Sequence, residues 1–354
     1  MAVSLKDISQ KTGINICSVS QVLNGHPKAQ SLRTETRECI RTAARELGYC
    51  RNEMAASVAR KRGNVLAFVS GEMGGVEYTG RIQNGVLDAA SERGYTVTVH
   101  RLGTMTDAEI IRKLIGWRVA GVIFHVSRLE VIREIADVLD SNSIPWGTVN
   151  LSNPGGIGVT TDDADGIESA VRLLYDRGHK KVVFFANTKH ALYDQTEYQF
   201  RREAGFRRGM ERYYPDQTPV VHHMKDSPLL NNAEYMRGLV DTLLREKTDG
   251  VICESDLFAS TLSRTARAAG YPVPETFSVV GFGDSIYSVA SYPCLTTISQ
   301  DFEQMGADTV RFVADVIEKR NPASVRNILL PVEIVERDSV KTIGNNKKTE
   351  RKRK

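Results

Sequence analysis

Cys17, Ser18, Gln21 and Asn24 fall at helical spacing on one side of a segment whose Val19, Val22 and Leu23 occupy the other. Small polar residues let a helix sit deep in the major groove of a duplex. A Gln amide there pairs bidentately with adenine N6 and N7, where an Arg would select guanine O6 and N7. Base reading falls to Cys17, Ser18 and Gln21. Arg33, Arg37, Arg41 and Arg45 follow along the outside of the next segment, where guanidinium groups neutralise phosphates and hold register without reading sequence. The same outer face could simply be the wet side of a small helical bundle, but the charge distribution speaks for a polyanion. Residues 1–63 carry 11 Lys/Arg against 5 Asp/Glu (+6), residues 64–339 carry 29 against 37 (−8), and residues 340–354 carry 7 against 1 (+6). The near-neutral total of +4 over 354 residues hides two basic ends around an acidic middle.

The elements that must position these groups are short. Ser4 stands at a helix N-cap with the Asp7 carboxylate three residues on, and Thr12-Gly13 ends that helix because Gly tolerates a left-handed turn. A second helix is predicted over about 16–23, broken by Asn24-Gly25-His26-Pro27. A third, over about 34–47, has Ile40, Ala43, Ala44 and Leu47 on its inner face. Two short helices joined by a Gly turn and braced by a longer one make a helix-turn-helix unit.

Beyond Asn64 the pattern changes. Val65–Val69, Thr96–Val99 and Gly121–Phe124 are short apolar runs, each followed by an amphipathic stretch, at about 81–92, 107–115 and 129–139. The series restarts at Lys181–Phe185, Val220-Val221, Gly250–Cys253 and Phe277–Phe282. Strands alternating with helices predict βαβ units in two doubly wound parallel sheets, with a ligand crevice at the carboxyl ends of the strands.

Leu5-Lys6-Asp7-Ile8, Ser18-Val19-Ser20-Gln21-Val22-Leu23-Asn24-Gly25 and Ala43-Ala44-Arg45-Glu46-Leu47-Gly48-Tyr49 resemble the DNA-binding domain of the lactose repressor and galactose repressor (LacI/GalR) family. Asp176–Val182, Ala204-Gly205-Phe206, Ser278–Phe282 and Leu295–Ile298 continue the resemblance over nearly the whole chain, the tail excepted. It implies an all-α helix-turn-helix domain with a hinge helix, then an α/β two-lobed effector domain similar to periplasmic binding proteins. The implied domains are 1–50, a hinge at 51–62, an effector-binding and dimerisation domain at 63–339, and a disordered basic tail at 340–354. Lobe one would take 63–161 plus 293–322, and lobe two 162–292 plus 323–339. The implied DNA-binding residues are Ser4, Lys6, Ile16, Cys17, Ser18, Ser20, Gln21, Asn24, His26, Arg33 and Tyr49, with Asn52, Ala55 and Val58 from the hinge.

The chain departs from the family at Gln21, where Arg is usual, at Val58, where a Leu wedges the operator open, and at Arg51, where Pro is usual. A shorter wedge fills less of an opened base step, which shifts affinity onto Arg51, Arg60, Lys61 and Arg62 at phosphates. In the effector domain the resemblance implies cleft positions at Ser70, Tyr78, His125, Asn150, Arg202, Ser255, Asp256, Gly283, Asp284 and Gln300, with Arg202 holding hydroxyls or a carboxylate. Tyr193 is a further aromatic near the expected cleft. Where sugar-binding members have two successive Asp, the chain has Gly283-Asp284. A carboxylate acceptor is thereby missing, which makes a ligand with fewer hydroxyls or its own negative charge more plausible alongside a sugar or sugar derivative.

Other chemistries lack their residues. Cys17, Cys39, Cys50, Cys253 and Cys294 form no C-x-x-C and no disulfide framework. The run Thr161–Gly166 fails as a calcium loop because Arg172 stands where a bidentate Glu is needed. Gly155-Gly156-Ile157-Gly158 is no dinucleotide fingerprint, His222-His223 have no further ligands at metal spacing, and no G-x-S-x-G elbow or phosphate loop occurs. No stretch reaches the roughly 18 apolar residues of a membrane span. The expectation is a cytoplasmic, homodimeric regulator without cofactor or metal, binding palindromic operator DNA and a small sugar-like or acidic effector. The alternatives are a ligand-independent DNA-binding dimer and an α/β enzyme. With so many phosphate contacts, operator affinity measured from low to moderate salt falls steeply, log K dropping by about 0.9 per contacted phosphate for each tenfold rise in salt. An affinity that barely changes contradicts the phosphate assignment.

Overall fold

Helix α1 (Leu5–Thr12) begins in a complete capping box. The Ser4 hydroxyl accepts from the Asp7 amide, and the Asp7 carboxylate accepts from the Ser4 amide at 2.8 Å. Gly13, at φ +66°, ends it in the left-handed conformation. Asn15 then caps α2 (Ile16–Leu23) by accepting from Cys17 N–H at 2.8 Å. After a 3-10 turn, α3 (Thr34–Glu46) closes the unit over a core of Ile8, Val19, Val22, Ile40, Ala43 and Ala44. The apolar spacing read from the sequence is the spacing of this core.

The computed structural model describes residues 3–50, 63–71, 77–187, 196–224, 232–320 and 326–344. The hinge positions Asn52, Ala55 and Val58, with Arg51, Arg60, Lys61 and Arg62, therefore lie outside the described residues, as do Tyr193 and the tail beyond Gly344. Contacts divide the chain after Gly63 into two compact units.

The second unit contains two six-stranded sheets. The first is ordered β11-β5-β4-β3-β1-β2, from β1 (Val65–Ser70), β2 (Thr96–Arg101), β3 (Gly121–His125), β4 (Trp146–Val149), β5 (Ile157–Thr161) and β11 (Arg326–Leu330). The second is ordered β12-β10-β9-β8-β6-β7, from β6 (Val182–Asn187), β7 (Val220–Met224), β8 (Gly250–Cys253), β9 (Ser278–Gly283), β10 (Thr296–Ser299) and β12 (Glu333–Val335). Every pairing is parallel except β10 with β12, so the second sheet carries an antiparallel edge rather than being wholly parallel. Helices α4 (Glu77–Glu92), α5 (Asp107–Gly116) and α6 (Arg133–Ser141) belong to the first lobe; α7 (Asp163–Asp176), α8 (Glu197–Tyr213), α9 (Ala233–Arg245), α10 (Asp256–Ala268) and α11 (Ile286–Ala290) belong to the second. Helix α12 (Phe302–Ile317) returns to pack its Met305, Val310 and Val313 with Ile82 and Val86 of α4 in the first lobe.

The expected lobe boundaries need correcting. β10 lies in the second sheet beside β9, pairing Thr296 with Val280, so 293–299 belong to lobe two and not to lobe one. β11 lies in the first sheet beside β5, so 326–330 belong to lobe one and not to lobe two. Buried Leu295, Thr296 and Thr297 explain the first placement, and the alternating half-exposed pattern of β11 suits an edge strand of the other sheet. The chain thus crosses between lobes after Thr161, near Gln300 and after Leu330. After the first crossing Asp162 caps α7, its carboxylate accepting from the Asp165 amide at 3.0 Å. Lobe two closes tightly there, because a Cβ on Gly205 of α8 would lie 2.2 Å from the Ala164 carbonyl oxygen.

Burial pushes the imidazoles of His100, His179 and His222 below the usual histidine range. His179 is fully enclosed, its Nε2 2.7 Å from Ser278 Oγ and its Nδ1 3.0 Å from the Leu174 carbonyl oxygen. Below about pH 6.5 the unfolded chain binds protons that these folded imidazoles refuse, so their contribution is present above that pH and is lost as the pH falls toward their folded values. The thermal midpoint accordingly drops between pH 7 and pH 5, and His179→Gln shallows the drop. A midpoint that is flat over this range in the wild type contradicts the assignment.

Candidate functional site

On the N-terminal unit, α2 presents Ile16, Cys17 and Asn24 exposed, with Ser18, Ser20 and Gln21 half-buried beside them. Asn24 Nδ2 donates to Ser20 Oγ at 2.9 Å, which orients both groups at the end of that face. Lys6 and Arg33 are exposed, while the Ser4 hydroxyl is engaged in the α1 cap and the Asp7 carboxylate is held below its usual range by the Ser4 hydrogen bonds. His26 is exposed and its Nδ1 accepts from the Lys28 amide at 3.2 Å. Tyr49 packs against the unit's core and, with Leu23, Arg41, Ala44 and Arg45, lines a shallow groove. The face is polar, made of small residues, and flanked by cations.

In the second unit the strand ends bring several expected residues together. Ser70 at the end of β1 and His125 at the end of β3 are buried neighbours, Oγ to Nδ1 3.2 Å. The Tyr78 ring meets His125 edge-on at 5.8 Å and stacks on Phe302 at 5.4 Å, forming an aromatic floor at the lobe-one side. Asn150 follows β4 at φ +61°, a conformation Asn tolerates, and its amide donates to the Val159 carbonyl at 2.8 Å.

Arg202, expected to hold hydroxyls or a carboxylate, is engaged here by groups of the protein itself. It is 7% exposed, and its Nε donates to Asp163 Oδ2 at 2.8 Å, one terminal nitrogen to the Glu254 carbonyl at 2.6 Å and the other to Gln300 Oε1 at 3.3 Å. Its guanidinium lies 3.8 Å over the Phe282 ring and 4.9 Å from that of Tyr198. Gln300 in turn donates through Nε2 to Thr161 Oγ1 at 2.6 Å and to Asp163 Oδ1 at 3.2 Å. Residues from the first and second crossings are thereby tied in one buried knot.

Ser255, Asp256, Gly283 and Asp284 form a second cluster. Ser255 caps α10. The Asp256 carboxylate accepts from the Ser285 amide at 2.7 Å, the Ser285 hydroxyl at 3.0 Å and Thr297 Oγ1 at 2.5 Å; burial pushes it up while these bonds pull it down. It approaches so closely that a Cβ on Gly281 would lie 2.1 Å from Oδ1, and one on Gly283, at φ +118°, would lie 3.7 Å from Oδ2. An Asp in place of Gly283 would set two carboxylates together. Asp284 does not supply the missing acceptor: its Oδ1 takes Arg337 at 2.7 Å and Ser288 Oγ at 2.9 Å.

Arg81 and Glu303 escaped the reading of the sequence, and Thr161 and Asp163 entered it only as part of a failed calcium loop. Arg81 of α4 donates to both Glu303 oxygens at 2.8–3.0 Å, and this hydrogen bonding raises the guanidinium's pKa above its ordinary value and holds the Glu303 carboxyl below its own. Partners 222 residues apart leave no local spacing to find. Among the described residues, no group of three His, Cys, Asp or Glu could hold a metal ion, and no helix is long and apolar enough to cross a membrane.

The described residues thus form a small three-helix unit and an α/β domain of two six-stranded sheets, the architecture against which known proteins can be compared. Residues 171–340 match the family model described as a periplasmic binding protein-like domain. The chain is 27% identical to the HTH-type transcriptional regulator RegA of Clostridium saccharobutylicum over 344 residues, covering 96% of this chain and 99% of that protein. It is 28% identical to the HTH-type transcriptional regulator CelR of Thermobifida fusca, covering 92% and 95%. The fold matches that of the lac repressor dimer bound to operator and the anti-inducer ONPF with a TM-score of 0.79, at 22% identity over 96% of this chain and 99% of that one. A CelR–cellobiose complex matches with a TM-score of 0.66, at 24% identity over 96% and 100%. The chain is thus similar over nearly its whole length to HTH-type transcriptional regulators, and its fold is that of the lac repressor.

Arg202→Ala strands the Asp163 carboxylate in a buried site and costs about 3–5 kcal/mol in denaturant unfolding of the full chain. A loss below about 1 kcal/mol contradicts the knot.

Proposed function

We propose that the chain is a repressor that binds a palindromic operator as a homodimer and is controlled by a small, uncharged, hydroxyl-bearing effector between the lobes. The observation that carries the DNA half is the outer face of α2, where Cys17, Ser18 and Gln21 sit on a compact basic unit with its own core. The sugar-like half is supported by charge pairing at the cleft. Arg81 faces Glu303, Arg201 faces Glu197, Arg202 faces Asp163 and Arg337 faces Asp284. An acidic ligand would have to displace a carboxylate already bound to one of these guanidinium groups, so the pairing argues for a neutral molecule over an acidic metabolite. For the homodimer, the support is an exposed apolar face on and beside α11, with Ile286 55%, Val289 50% and Tyr292 74% exposed.

Selection from random duplexes tests the reading. The wild type enriches a two-fold symmetric site, and Gln21→Arg changes one symmetric adenine to guanine, each wrong base costing about 1–3 kcal/mol. Enrichment of no symmetric site overturns it. The ligand-independent alternative is separated by thermal unfolding against a panel of neutral sugars including cellobiose and ribose. A true effector at one hundred times its Kd stabilises by about 2.7 kcal/mol, whereas a dimer without effector responds to none.

A further inference from the structure

The buried knot at the crossings leaves open what else joins the lobes. One turn of α8 does so. Glu197 Oε2 accepts from the Ser152 amide at 2.8 Å, in the lobe-one loop between β4 and β5. Arg201, one helical turn on, pairs with Glu197 and donates to Ser152 Oγ at 2.8 Å, to Thr160 Oγ1 at 3.0 Å and to the Thr161 carbonyl at 3.2 Å. Burial pushes the Glu197 carboxyl up, yet the hydrogen bonds from Ser152 and Arg201 hold it below the usual carboxylate range. Elsewhere at the cleft, Arg81 reaches lobe two through one 3.3 Å bond to the Asp284 carbonyl.

Two features separate this contact from the knot. The Glu197 and Arg201 side chains are 32% and 22% exposed, against 2% and 9% for Asp163 and Arg202, so water can replace the partners of the first pair when they separate. The gripped loop also begins at Asn150, two residues before Ser152, so a ligand that pulls on Asn150 pulls on the same loop. We infer that Glu197 and Arg201 form a clasp on the loop carrying Asn150, that its making and breaking selects the lobe arrangement, and that they act as positioning residues in coupling effector to operator. This rests on the proposed function, in which lobe arrangement sets operator affinity.

The test uses two forms of the full-length chain: for distances, Cys17, Cys39, Cys50 and Cys294 are replaced by Ser and nitroxide labels are placed at Asp88→Cys in lobe one and Glu211→Cys in lobe two, diluted with unlabelled chains; for operator affinity, the parent is the chain with Cys17 and every other cysteine kept. Without ligand, Glu197→Ala and Arg201→Ala lengthen and broaden the label-to-label distance, and Glu197→Gln, which keeps an oxygen for the Ser152 amide, falls between them and the parent. Both Ala variants also change affinity for the selected operator at least about fivefold in the same direction, although neither residue is on the DNA-binding unit. Should Glu197→Ala fail to fold, Ser152→Ala, which removes only the hydroxyl held by Arg201, is measured the same way. Unchanged distances overturn the clasp, and lengthened distances with unchanged operator affinity overturn the coupling. If the parent prefers no duplex, the proposed function fails, while the distances alone still decide the clasp.

Discussion

The ion pair between Arg202 and Asp163 is the constraint on which the two-lobed domain turns. A guanidinium taken out of water must find a counter-charge and acceptors for its other donors, and here each partner comes from a different part of the chain. Asp163 follows the first crossing, Gln300 lies on the second, and Glu254 follows β8. The third crossing joins through the Asp162 amide, which donates to the Leu330 carbonyl at 2.9 Å. With the first two crossings tied in the buried knot and the third bonded beside it, a motion that kept these bonds intact would be a rotation of one lobe against the other. The accessible edge contacts are then the ones free to change.

The same constraint explains the chemistry of the cleft. Because each nitrogen of Arg202 is already engaged by a protein group, the effector proposed here would be met chiefly by Tyr78 and Phe302, by Ser70 and His125, and by Asn150. Gly283 has a physical reason of its own: its φ of +118° is a conformation that side-chain-bearing residues rarely adopt, while the Asp256 carboxylate braces the loop through Ser285. Asp284, bound to Arg337, is part of the loop's support.

Much of the fold was legible because it is encoded locally. The Ser4 cap, the Gly13 turn, the spacing of Val19, Val22 and Ile40, and the apolar runs of β1, β3, β6 and β8 each carry their own signal within a few residues. The last fifty residues were not, because the placement of β10 and β11 depends on which sheet edge each strand pairs with, and nothing local distinguishes the two. The cleft shows the same division. Arg202 was named by the family resemblance, but its partners Asp163 and Gln300 are 39 and 98 residues away in sequence. Glu197 and Arg201 did leave a trace, an acid four residues before a base on one helix, but so common a spacing names no partner in the other lobe.

In the proposed function, operator and effector bias one rotation about this knot. The direct measurement is a closed cycle on the full-length chain: operator affinity with and without a saturating sugar that stabilises the protein, and affinity for that sugar with and without operator. Two sites coupled through one equilibrium must change each other by the same factor, at least about fivefold. A sugar that binds tightly yet leaves operator affinity unchanged would contradict the account.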